Sequence, residues 1–131
     1  MNNQTFIDAI AEKYRDKVEA FPKQDVSFVS RFYSEEATAV APGRDPLVGI
    51  EAVRSFYEGL LANPVGASYR SFRAVLTSPT TGYDFADFSI QPEGSDVIPL
   101  KFLFMWRLID GDWKCDGYLY IRNETFFPHA D

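Results

Sequence analysis

The chain has one cysteine, Cys115, and one histidine, His129. A lone cysteine excludes an internal disulfide and a thiolate-rich metal site. Its burial habit makes Cys115 a small apolar residue within a strand. A lone histidine among scattered carboxylates offers no recognisable metal-ligand spacing. A phosphate-cradling glycine loop, a nucleophile elbow and an HExxH motif are all missing. Basic residues are in the minority, 13 against 19 acidic ones, for a net charge of −6. That balance argues against nucleic acid or an anionic membrane surface as partner. No stretch approaches the ~20 apolar residues of a membrane span. The opening MNNQTF lacks the basic-then-apolar pattern of a secretion signal. The expectation is a cytoplasmic protein without metal or cofactor.

What the chain has in abundance is aromatic side chains: 12 Phe, 7 Tyr and 2 Trp among 131 residues. With 46% hydrophobic residues, disorder is excluded. One domain spanning residues 1–131 can bury a core of its own. The aromatic excess fits an apolar cavity or a sizeable buried interface.

Periodicity divides the chain in two. Phe6, Ile10, Tyr14, Val18 and Phe21 recur at helical spacing and predict a helix from about Thr5 to Ala20, stopped by Pro22. Asp25 can cap a second helix with Val26, Val29, Phe32 and Tyr33 on its apolar face. A short extended run, Ala37 to Ala41, ends at Pro42-Gly43. Gly49 opens a third helix carrying Ile50, Val53, Tyr57, Leu60 and Leu61 on one face. Four strands follow: Ser68 to Leu76, Gly82 to Ile90, Val97 to Ile109 and Asp112 to Ile121. Asp110-Gly111 marks the last hairpin. Helices first and an antiparallel meander afterwards predict an α+β fold, with the helices on one face of a curved sheet.

Three tyrosines, Tyr14, Tyr33 and Tyr57, fall on the apolar stripes of the three predicted helices. A buried phenol needs a hydrogen-bond partner. Either each tip is satisfied separately by backbone or water, or the three meet as a polar cluster in an apolar cavity. Period two places Leu100, Phe102, Phe104, Trp106 and Leu108 on one face of the third strand, with Lys101 and Arg107 opposite. The last strand is ambiguous. Hydrophobicity turns Trp113, Cys115, Gly117, Leu119 and Ile121 inward, leaving Lys114, Asp116, Tyr118, Tyr120 and Arg122 outside. Asp84 and Asp87, on opposite faces of the second strand, are alternative pocket carboxylates. The closing Phe126-Phe127 could fold over the cavity mouth as a lid that carries His129; a solvated tail is the other reading.

The runs FYSEEATAVAPG (from Phe32) and VGIEAVRSFY (Val48 to Tyr57) resemble the nuclear-transport-factor-2-like superfamily. Within it, the chain is similar to ketosteroid isomerases and SnoaL-like polyketide cyclases. The resemblance covers nearly the whole chain in element order. It implies a cone-shaped fold enclosing an apolar pocket, and a homodimer through the open face of the sheet. It also implies that Tyr14 is the oxygen-donating tyrosine, with Tyr33 and Tyr57 behind it. The isomerases' two catalytic carboxylates fall instead on Ala41 and near Phe104, so ketosteroid isomerase activity is not expected. In the family register the last strand turns Asp116, Tyr118 and Tyr120 inward, opposite to the hydrophobicity reading.

The resulting expectation is an isomerase, cyclase or dehydratase acting on a small apolar or aromatic molecule with oxygen functions. Asp116 would serve as acid/base and Tyr14 as oxygen donor. Tyr33, Tyr57, Phe102, Phe104, Trp106, Tyr118 and Tyr120 would form the ligand site. For Asp116 the plainer reading is a solvated residue or a salt bridge to Lys114 or Arg107. Non-catalytic ligand binding is the alternative function. A weaker third is an interaction domain whose cavity is filled by its own aromatics.

Overall fold

The computed structural model describes residues 2–127. Helix α1 (Asn3–Ala20) starts at Asn2, whose side chain accepts from the Thr5 amide at 2.8 Å. A short α2 (Phe28–Phe32) leads into β1 (Tyr33–Val40), then β2 (Leu47–Val48) and α3 (Ile50–Leu60). The meander β3 (Val65–Ser78), β4 (Thr81–Pro92), β5 (Leu100–Ile109) and β6 (Asp112–Arg122) completes the fold. The six strands form one sheet in the order β2-β1-β6-β5-β4-β3, antiparallel except where β1 lies parallel to β6. The α+β architecture with three helices on one sheet face is as expected.

Several details differ from the sequence reading. Tyr33 opens a strand and not the end of a helix, because α2 is only 5 residues long. Strand β2 was hidden in a turn-rich stretch and pairs only Thr38 with Val48 and Ala39 with Leu47. Strand β5 starts at Leu100; before it, Ile98 makes an isolated bridge to Ile90. Asp110 and Gly111 both have positive φ, 50° and 77°, as the predicted Asp-Gly hairpin requires.

The ambiguity of β6 is resolved by a bulge. Trp106 pairs with Cys115 and Met105 with Gly117, which leaves Asp116 without an opposite residue. Before the bulge Trp113 and Cys115 face the core, as hydrophobicity predicts; after it Tyr118 is buried and Leu119 exposed, as the family register implies. Each reading holds for half of the strand. The bulge is also where β6 meets β1. A Cβ on Gly117 would stand 2.4 Å from the Thr38 carbonyl oxygen, too close for any side chain.

The described part of the C-terminal segment does not cover the cavity. Asp87, on the outer face of β4, accepts from the Phe126 amide at 2.8 Å, and Phe126 stacks on Phe72. The Arg70 guanidinium lies 3.7 Å from the Phe127 ring centroid. The segment is thus pinned to the sheet face away from the helices. His129 lies outside the described residues.

Gly117→Ala is expected to destabilise the fold by about 2 kcal/mol or more, since the Thr38 backbone cannot retreat cheaply. Urea denaturation measures this, and an unchanged midpoint would contradict the account of the bulge.

Candidate functional site

Two separate hydrogen-bonded networks occupy the core between helices and sheet. The first is centred on Tyr14, from α1. Its hydroxyl donates to Asp84 Oδ2 at 2.8 Å and accepts from Trp106 Nε1 at 3.2 Å. Ser71 Oγ donates to the other oxygen, Asp84 Oδ1, at 2.6 Å. Asp84 shares the inward face of β4 with Ala86 and Phe88 and is fully buried. Burial pushes its carboxyl above the usual aspartate range, opposed by the hydrogen bonds from Ser71 and Tyr14. Burial, then the neighbouring Asp84 charge, pushes the Tyr14 phenol well up.

The second network is centred on Lys17, one turn further along α1. Lys17 is 1% exposed. Its Nζ donates to Tyr33 Oη at 2.8 Å; Tyr33 and Tyr57 share a hydrogen bond at 2.8 Å, and Tyr57 and Tyr118 one at 3.3 Å. Seven aromatic rings surround the Nζ with centroids at 4.7–5.8 Å, Phe32 and Phe88 the nearest. Among the described residues no carboxylate pairs with it. Burial pushes the Tyr33 and Tyr118 phenols well up, with the Tyr57 phenol next as a cause in both.

Lys17 lines a cavity of about 60 Å³, together with Phe21, Phe56, Tyr57, Leu60, Phe88, Ile90, Leu100, Phe102, Tyr118 and Tyr120. Including its open mouth the space is about 370 Å³. Typical ligand cavities enclose about 300–1,000 Å³. A cavity of about 60 Å³ admits a functional group rather than a whole steroid-sized molecule.

The three tyrosines singled out in the sequence are therefore divided. Tyr33 and Tyr57 join through their hydroxyls, while Tyr14 belongs to the Asp84 network. Tyr57, Phe102, Tyr118 and Tyr120 line the cavity. Phe104 packs behind Phe102, with ring planes 1° apart, and Trp106 is engaged with Tyr14. Asp116 is not brought to Tyr14. At the bulge it turns to the face that carries Arg107, whose Nε and Nη2 reach its oxygens at 2.8 and 3.0 Å. Ser34 Oγ donates to Asp116 Oδ1 at 2.7 Å. This is the Arg107 salt bridge of the plainer sequence reading. Ala41 and Phe104, the positions at or near which the resemblance puts the isomerase carboxylates, are both buried. Burial pushes the Cys115 thiol up to about 12, leaving it an unreactive core residue.

Residues 12–115 match the family model of the SnoaL-like domain. The chain belongs to that family. Its fold is similar to the crystal structure of LinA, with TM-score 0.80 and 19% identity over 96% of each chain. It is similar to hexachlorocyclohexane dehydrochlorinase LinA-type3 from Novosphingobium barchaimii LL02, with TM-score 0.77 and 15% identity over 93% of this chain and 89% of that one. A ketosteroid isomerase-like protein from Erwinia carotovora atroseptica SCRI1043 gives TM-score 0.72 and 19% identity over 89% and 95%. No curated protein sequence gives a significant match. At such identities the likeness carries the fold and leaves the chemistry to the side chains. In this SnoaL-like chain the residue missed by sequence reading is Lys17. Steps of three and four link Tyr14 to Phe21 equally well through Lys17 or Val18. Spacing alone could not choose between them.

Asp84 yields a pH prediction. A carboxyl raised on folding binds its proton more readily in the native state. Its contribution to stability is full below the ordinary aspartate pKa and is lost as pH rises through the raised folded value. Asp84→Asn is expected to flatten the decline of the urea midpoint from about pH 4 upward. Identical pH profiles for the two proteins would contradict this assignment.

Proposed function

We propose that this SnoaL-like domain holds a small, mainly apolar molecule in the Lys17 cavity and grips one of its oxygens with the Lys17 and tyrosine donors. The carrying observation is the buried Nζ. Lysine offers three N–H donors, and one is spent on Tyr33. The Tyr57–Tyr118 contact of 3.3 Å is long enough for either hydroxyl to turn to a ligand. The remaining wall is almost wholly apolar.

This reading takes Tyr33, Tyr57, Phe102, Tyr118 and Tyr120 from the sequence analysis, adds Lys17, and leaves Asp116 and Tyr14 outside. Among the described residues the cavity wall offers oxygen donors and no carboxylate, which favours binding over proton transfer by a carboxylate. An isomerase, cyclase or dehydratase route through Asp116 would first have to break its two-point pairing with Arg107.

Calorimetric titration with benzyl alcohol, hexanol, benzoate and hexanoate tests the proposal. Saturable binding of at least one compound is expected, together with its loss in Leu60→Trp, which narrows the mouth. If none binds, or if Leu60→Trp binds equally well, the cavity is not a ligand site.

A homodimer through the outer sheet face is a second proposal. Val40 and Leu119 are paired across β1 and β6 and are 38% and 43% exposed, and Met105 on β5 is 40% exposed. Such a strip gains by being covered. Sedimentation velocity should give a dimer for the wild type and a monomer for Leu119→Asp; a monomeric wild type would rule the interface out.

A further inference from the structure

The Lys17 site is built around one positive charge, and that limits what it can hold. A buried ammonium loses hydration that its surroundings must replace. Here the rings and the Tyr33 hydroxyl supply only partial compensation, because a phenol brings a dipole and not a charge. A phosphate or sulfate ester would bring more negative charge and more acceptor atoms than one ammonium and its phenols can satisfy. Among the described residues Lys17 is the one cation on the cavity wall; Arg44 lies outside it, stacked on the Phe56 ring at 4.1 Å.

The shape narrows the ligand further. The cavity is about 60 Å³, with fully buried Lys17 on its wall and half-buried Phe56, Leu60, Ile90 and Tyr120 toward solvent. The polar group must therefore be compact and enter first, with an apolar tail lying toward the mouth. The net charge of −6 gives an anion no long-range attraction, so short-range pairing inside the cavity must supply the affinity.

We propose that the cavity takes a monocarboxylate with a narrow apolar tail, its carboxylate paired with Lys17 and hydrogen-bonded by Tyr57 or Tyr118. The proposal rests on the reading of this cavity as a ligand site and adds the charge and the orientation of the ligand. A carboxylate oxygen replaces the missing counter-charge of Lys17 and accepts a second hydrogen bond from a phenol.

The test compares acid with alcohol of matched tail: hexanoate with hexanol, and benzoate with benzyl alcohol, by calorimetry on the full chain. In wild-type protein the carboxylates should bind at least about tenfold tighter than their alcohols, the scale of a charge-assisted hydrogen bond. Lys17→Met should remove that advantage, bringing the affinity of each carboxylate down to that of its matched alcohol or below. Alcohols binding as tightly as carboxylates in the wild type would overturn the charge assignment and leave the cavity itself intact. That comparison needs no variant to fold. Retention of the carboxylate preference in Lys17→Met would likewise overturn it. If neither class binds, both this inference and the cavity reading fail.

Discussion

A lysine ammonium shut away from water, with seven aromatic rings around it and no carboxylate beside it among the described residues, constrains most of this core. Each ring face offers a favourable quadrupole, worth about 0.5–2 kcal/mol, and these contacts are not additive. They offset part of the hydration lost and require the rings to converge on one point. The Tyr33 hydroxyl supplies the directed contact, and Tyr57 and Tyr118 extend it to the cavity wall. The aromatic excess of the composition is thus spent on a lining for one charge. Tyr14 and Asp84 do something different nearby: they close a self-satisfied network with Ser71 and Trp106, leaving neither oxygen of Asp84 unbonded.

The bulge at Asp116 makes the arrangement possible. Strand β6 must bury Trp113 and Cys115 at one end and present Tyr118 to the same side at the other. Unbroken alternation would turn Tyr118 outward. One extra residue changes the phase, and it is the residue whose charge Arg107 neutralises on the opposite face. Gly117 then lets β1 approach closely enough to pair and to hold Tyr33 beneath Lys17.

Much of this architecture was legible in the chain. The meander, the Asp-Gly hairpin, the inward aromatic face of β5 and the polar role of Tyr33 and Tyr57 all follow from period, turn chemistry and the needs of a buried hydroxyl. Two features were not legible. Lys17 and Val18 fit the helical stripe of α1 equally well, and a charged residue is ordinarily sorted to the outside. The bulge has Gly117 as its one local sign, and a glycine within a strand does not fix the register, which depends on how β5 and β1 pair with that stretch. Asp116 was a candidate through the family register of the last strand, yet only the bulge decides which face it joins. Tyr14 drew attention as a donor, and the partner it found was Asp84 on β4.

The central claim is that Lys17 is the polar centre of a ligand cavity, and a crystal structure of the protein soaked with benzoate tests it most directly. The account predicts a carboxylate oxygen within about 3 Å of Lys17 Nζ and the ring toward Leu60 and Tyr120. Benzoate bound elsewhere, or a cavity closed on Lys17 with its rings alone, would contradict it.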